Sequence, residues 1–241
     1  IGPMDVLVSA DQLAAVRGVA RIERVLQDDV QGMVDRERAP LAVAAVDPFA
    51  DFFLSYHPYE GVGGIVWYMN ELVTRYPTLA SMVNVGTTLE GRTIWGVRIT
   101  SNVVATKPAA VYFGCEHARE WITGTVPPYM ANYFLENYGV DPQITDLVDH
   151  AEFFLIPVFN VDGYSYDYPG QSLWRKNRQP FGGAIGTDMN RNGDGACQGD
   201  PELEWGSLVN GSQTSHFPGH QAFAGPRGAS APEVQSLVRL F

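Results

Sequence analysis

"AVYFGCEHAREWITG", residues 110–124, decides the fold. The apolar run Ala110–Phe113 reads as a buried strand that stops at Gly114, and from about Trp121 to Tyr138 the pattern becomes helical. A second apolar run, "AEFFLIPVF" at 151–159, reads as a strand inside a sheet covered on both faces. Outward from these, "IVWYMNELVTRYP" predicts a helix from Ile65 that stops at Pro77. "MVNVGTTLEGRTIWGVRIT", 82–100, predicts two strands around a turn at Glu90 and Gly91. "SAPEVQSLVRLF" predicts a helix capped by Ser230 and running to the last residue. Strands alternating with helices predict an α/β fold, with a mixed, mostly parallel central sheet flanked by helices. Pro127 and Pro128 conflict with a helix over 121–138, because proline fits only where its N–H would be unpaired. Either that helix starts later or its first turns are kinked.

The first 45 residues differ in character. "MDVLV" reads as a short strand, "SADQLAAVRGVA" as a helix capped by Ser9, "IERVLQ" as a strand and "DDVQGMVDRERA" as the start of an amphipathic helix. Residues 1–45 are therefore expected to form a small α/β piece ahead of a main domain over 46–241, or else simply the first part of one domain. Sixteen basic against 27 acidic side chains, a net charge of −11, argue against nucleic acid as a partner. No segment approaches the ~20 apolar residues of a membrane-spanning helix, and the first residues lack the pattern of a signal peptide. Two cysteines, Cys115 and Cys197, rule out a disulfide-dense scaffold; they either pair with each other or remain free thiols. "NGS" at 210–212 makes Asn210 a glycosylation acceptor only if the chain is secreted.

The chemistry lies just past the 110–113 strand. His117 and Glu120 form H-x-x-E, and zinc accepts neutral imidazole nitrogen and carboxylate oxygen. The pair alone reads equally as a surface histidine and a helix-start glutamate. "LWRKNR" at 173–178 and "TDMNRNGD" at 187–194 add Arg175, Asp188, Asn190 and Arg191. A metal, an arginine to steady negative charge on a carbonyl oxygen, and an Asn–Arg pair for a carboxylate suit hydrolysis of an amide beside a free carboxylate.

With "HAREWIT", "FNVDGYSYD", "LWRKNR" and "DMNRN" in that order, the chain resembles the zinc metallocarboxypeptidases of the carboxypeptidase A type, in proenzyme form. A looser match follows in "FPGHQAFAGPRGASAPEV". The resemblance runs from about residue 50 to the end, and residues 1–45 resemble the last part of an activation segment. It implies Zn2+ held by His117 and Glu120, with Asp188 orienting the His117 imidazole. It further implies that Arg175 stabilises the oxyanion, that Asn190 and Arg191 grip the substrate's terminal carboxylate, and that Arg119 serves the neighbouring subsite. The expected activity is removal of C-terminal residues from peptides and proteins. The expected enzyme is secreted, monomeric and activated by a protease at about residues 36–46.

In this family the third zinc ligand, the general base and the specificity residue follow the "PEVQSL" helix, so the 241-residue chain is expected to be C-terminally truncated and inactive by itself. The family's disulfide positions hold Ala184 and Gly219 here, and Gly193 stands where an aromatic is usual. A catalytically silent relative that binds peptide C-termini or partner proteins is the alternative. A zinc amidohydrolase acting on small N-acyl amino acids is a third, which "LWRKNR" argues against.

Overall fold

The computed structural model describes residues 8–9, 11–22, 24–25, 29, 32, 49–168, 173–193 and 214–240. The chain separates into two compact units, Ile1–Ala39 and Pro40–Phe241. In the first, α1 spans Leu13–Val19. Ser9 does not cap it as expected: Gln12 takes that position, and the Gln12 side chain accepts from the Ser9 N–H at 3.1 Å. Of the expected 22–27 strand, Ile22, Arg24 and Val25 are not in strand geometry. The 4–7 stretch and nearly all of 28–39 lie outside the described residues.

The second unit is an α/β layer built on a four-stranded sheet. Helix α2 (Ile65–Arg75) buries Ile65, Tyr68, Met69 and Leu72, the spacing of one helical face, and ends just short of Pro77. Strands β1 (Ala80–Thr87) and β2 (Thr93–Ile99) pair antiparallel around the expected turn, where Gly91 holds φ at +85°. That turn needs a left-handed residue, which glycine supplies without steric penalty. Strand β3 (Ala109–Phe113) leads through α3 (Trp121–Asn137) and α4 (Pro142–His150) to β4 (Glu152–Ile156), which pairs parallel to β3. Ala109–Ile156 is thus a βαβ crossover.

The sheet order is β1-β2-β4-β3. The sheet is mixed, as expected, but among the described strands only β3–β4 is parallel; a tight turn imposes the opposite sense on β1–β2, and β4 runs against β2. Ile94, Val97, Ile99, Leu155 and Ile156 are fully buried beneath α2 and α3. β3 departs from the expectation of a buried strand, since Tyr112 and Phe113 are exposed and β3 stands last among the described strands. Its apolar composition alone does not distinguish a central strand from an outer one.

Both prolines sit inside α3, which starts at Trp121. Pro127 has no N–H for the Thr123 carbonyl, and Gly114 lies close against that carbonyl: a β-carbon there would collide with Thr123 O. The two sequence features are one packing solution.

Helix α6 (Pro232–Leu240) follows two 2-residue strands, β5 (Pro180–Phe181) and β6 (Ala184–Ile185), and α5 (Val161–Asp167) precedes them. Pro232 begins α6, a position that suits its fixed φ. The Ser230 hydroxyl, expected to cap it, accepts from Asn192 Nδ2 at 2.9 Å. Glu233 points inward and is 1% exposed, with Asn177 Nδ2 donating to its Oε2 at 3.0 Å and its Oε1 unbonded. Burial pushes this carboxyl above its ordinary range; the Asn177 hydrogen bond opposes the shift and nearby Asp162 adds to it. A raised folded pKa means that the stabilising contribution is complete at acid pH and lost as pH rises through that value. Glu233→Gln is therefore expected to have the higher denaturation midpoint at pH 8, with the difference gone by pH 4, in melts across that range.

Candidate metal centre

The site lies beyond the carboxyl ends of β3 and β4, where open α/β sheets place their ligands. After Phe113 the chain turns through Gly114 and Cys115, the latter at φ +46°. Phe159 N–H and Asn160 N–H bind the carbonyls of Gly114 and Cys115 at 2.9 and 3.0 Å, extending the strand pairing into the turn. That turn delivers His117. Three residues on, Glu120 occupies the N-cap position of α3, with its N–H bound to the His117 carbonyl at 3.1 Å.

Arg175 comes from a separate segment docked on the same turn. Its carbonyl accepts from Ala118 N–H at 3.1 Å, and Asn160 Nδ2 donates both to Glu116 O and to Arg175 O, at 3.2 and 3.3 Å. Asn160 also caps α5 through Gly163 N–H. Asn177 fastens the next stretch, since its Oδ1 accepts from the N–H groups of Gln179 and Thr187. Asp188 follows Thr187 directly.

Four of the predicted side chains converge. His117 Nδ1 faces Glu120 Oε1 at 2.9 Å, and its Nε2 faces Asp188 Oδ1 at 3.0 Å. Arg175 donates from Nε and Nη2 to Asp188 Oδ2 at 3.2 and 2.8 Å, while its Nη1 lies 4.0 Å from Glu120 Oε1. The Asp188 side chain is wholly buried, whereas the Glu120 side chain is 43% exposed, so the latter is the carboxylate an incoming ion can reach.

Burial alone would raise the Asp188 carboxyl and lower the His117 imidazole. Hydrogen bonds from His117 and Arg175 outweigh burial and hold Asp188 below the ordinary carboxylate range; those with Asp188 and Glu120 likewise raise His117.

The donor chemistry fits a cation. With Nε2–H donated to Asp188, a neutral His117 aims the Nδ1 lone pair at a carboxylate oxygen. Two acceptors in that position require either a proton or a positive ion between them. Imidazole nitrogen and carboxylate oxygen are both zinc donors. Among the described residues, no third His, Cys, Asp or Glu completes a metal-binding group with them.

The remaining predicted residues flank this cluster, and the Arg191 N–H donates to the Asp188 carbonyl at 3.0 Å. Asn190 and Arg191 form a short 3-10 turn with Met189, directly after Asp188; Asn190 is exposed and Arg191 donates to its carbonyl at 3.0 Å. Arg119 is bound to Leu173 O at 3.4 Å. Cys115 is a free thiol, buried and pushed up to about 12 by loss of solvent; Cys197 and Asn210 lie outside the described residues. The supporting roles of Asn160 and Asn177 escaped sequence reasoning. Only Asn160 carried a signal, as an asparagine placed to cap the following turn.

The strand ends of this α/β sheet thus carry a histidine–carboxylate pair and an arginine. Residues 65–241 match the family model for zinc carboxypeptidase, Peptidase_M14. Mouse carboxypeptidase A4 is 30% identical over 244 residues, covering 98% of this chain and 54% of the relative. Carboxypeptidase A from Helicoverpa armigera superposes with a TM-score of 0.66 at 26% identity, covering 87% of this chain and 48% of that one. Thrombin-activatable fibrinolysis inhibitor shares the fold, with a TM-score of 0.79 at 24% identity, covering 97% and 56% respectively. The chain belongs to the zinc carboxypeptidase family, a family of metallocarboxypeptidases and hence of hydrolases. It spans about half the length of the curated relatives that it matches. Among the described residues no helix is long and apolar enough to cross a membrane.

Proposed function

We propose that this protein is a zinc-dependent carboxypeptidase that hydrolyses the C-terminal peptide bond of peptides and proteins, and that it is secreted as a monomeric proenzyme. The observation that carries the reading is the convergence of His117, Glu120 and Arg175 around one point, with Asp188 behind them. His117 Nδ1 and the Glu120 carboxylate would hold Zn2+, which when bound polarises a carbonyl and lowers the pKa of water. Asp188 fixes the imidazole by accepting from Nε2. Arg175 spends Nε and Nη2 on Asp188, leaving Nη1 turned toward the Glu120 side, where it steadies negative charge on the substrate's carbonyl oxygen. Asn190 and Arg191 hold the terminal carboxylate, an arginine fork being matched to two oxygens. Arg119 serves the adjoining subsite. Residues 1–45 act as the pro-segment, removed by a protease at about residues 36–46, a stretch outside the described residues.

For the 241-residue chain itself we expect weak zinc binding and no turnover, because the two donors found among the described residues hold zinc less firmly than the three of a catalytic site. Calorimetric zinc titration tests the first point, and His117→Ala or Glu120→Ala should abolish the heat. Activity is assayed in a polypeptide of the relatives' length, on a peptide with a free terminal carboxylate and on its amide. Release of the last residue from the free acid alone is the expected result. Equal hydrolysis of the amide, zinc uptake indifferent to both ligand substitutions, or turnover by the 241-residue chain would each overturn part of this reading.

A further inference from the structure

We infer that Asp167 is a positioning residue that sets Glu120 and Arg175 at their working separation. The inference rests on the proposed roles of those two side chains. Asp167 is the last residue of α5 and is fully buried. Its Oδ1 accepts from the backbone N–H of Trp174 at 2.7 Å, and its Oδ2 accepts from Trp121 Nε1 at 3.1 Å. Trp121 directly follows Glu120 in the chain, and Trp174 directly precedes Arg175. One carboxylate thus joins the neighbour of the proposed zinc ligand to the neighbour of the proposed oxyanion arginine.

The opposite end of α5 makes a matching link. Asn160 Nδ2 donates to Glu116 O and Arg175 O, so the same short helix grips the two site segments at both ends. Trp121 is further fixed by rings: Tyr56 lies edge-on at 5.5 Å and Tyr168 is tilted against it at 5.6 Å. Tyr166 meets the Trp174 ring edge-on at 5.5 Å. With both indoles packed, the Asp167 bonds transmit position instead of merely satisfying donors.

A carboxylate is suited to this task. Ionised, it offers two acceptors and no donor, and it faces two N–H groups from different segments. Asparagine at this position must turn its own NH2 toward one of them. Burying a carboxylate carries a large desolvation cost, and apolar residues of similar volume often stabilise a core better. Holding two segments in register is what the carboxylate adds.

The test compares the wild-type chain with Asp167→Asn, Asp167→Ala, Trp121→Phe and a control, Tyr59→Phe. Tyr59 is also buried and makes two linking bonds through its hydroxyl, to Thr93 O and from Trp95 N–H, both at 2.8 Å, away from the site. Two quantities are read: zinc affinity by calorimetry, and, in the metal-free chain, the NMR signals of Arg175 Nε–H and of the His117 ring nitrogens. Both Asp167 variants are expected to bind zinc about tenfold more weakly, the low end of the range for supporting residues. They should also shift all of these signals, with Trp121→Phe intermediate. Tyr59→Phe should lower the melting temperature and leave affinity and signals unmoved. Asp167→Asn with wild-type affinity and unshifted signals overturns the inference, as does an equal loss in Tyr59→Phe. Should the wild-type chain take up no zinc, the zinc reading fails, while the metal-free signals still decide the role of Asp167.

Discussion

Asp188→Ala is expected to be the most damaging single substitution at the site, lowering stability by about 3–5 kcal/mol, the usual consequence of removing one partner from a buried charged pair. The fully buried Asp188 carboxylate accepts from His117 Nε2 and from two nitrogens of Arg175, and its loss leaves an imidazole and a guanidinium with those donors unmatched. Urea unfolding followed by tryptophan fluorescence measures the difference, and a loss below about 1 kcal/mol would show that the cluster is not coupled as its distances imply. The effect is pH-dependent in a defined direction. Asp188 titrates below its ordinary value because the bonds from His117 and Arg175 overcome the opposing effect of burial. Its contribution is therefore complete above about pH 4, near the unfolded carboxyl's pKa, and disappears as pH falls through the folded value. Wild type and Asp188→Ala should converge in acid.

Gly114→Ala is the second large effect, and it acts through backbone alone. A β-carbon at this position would overlap the Thr123 carbonyl oxygen and stand 2.7 Å from Pro157 O. Neither atom belongs to a flexible side chain, so β3 and the first turns of α3 must separate. A loss of about 4 kcal/mol or more is expected, at the severe end for one substitution. That corresponds to a fall of about 8–16 °C in melting temperature for a domain of this size. Zinc affinity should fall in parallel, because α3 carries Glu120 at its head. A variant that melts within 3 °C of wild type would mean that the Gly114–Thr123 contact is slack.

Legibility in the sequence followed range along the chain. The helix at Ile65, the hairpin at Glu90–Gly91 and the β3–α3–β4 crossover were readable because periodicity and turn chemistry are local signals. The end position of β3 among the described strands was not, since strand order depends on pairings between distant segments. Pro127 and Pro128 looked like a contradiction because the close neighbour of the Thr123 carbonyl, Gly114, lies outside the helix. At the site, His117, Glu120, Arg175 and Asp188 were legible through residue type, motif order and resemblance; the structure brings all four together. Asp167 and Asn177 were not legible, and Asn160 only as a cap, for asparagine and aspartate are common in loops and only contacts across the fold distinguish a linker from a solvated residue. Asn190 and Arg191 were named as a pair suited to a carboxylate and Arg119 from resemblance; they flank the cluster, with the Arg191 N–H donating to the Asp188 carbonyl at 3.0 Å.

Cys115 and Leu173, two of the three non-glycine residues in the left-handed region among the described residues, stand where the His117 and Arg175 segments begin. Each such backbone conformation costs of the order of 1–3 kcal/mol. Local frustration is thus concentrated at the entrance to the site, tolerated because the remaining layers of the fold are mutually consistent. A redesign guided by stability alone would put glycine at both places, relaxing the tension and surrendering the rigidity with which the two segments are aimed.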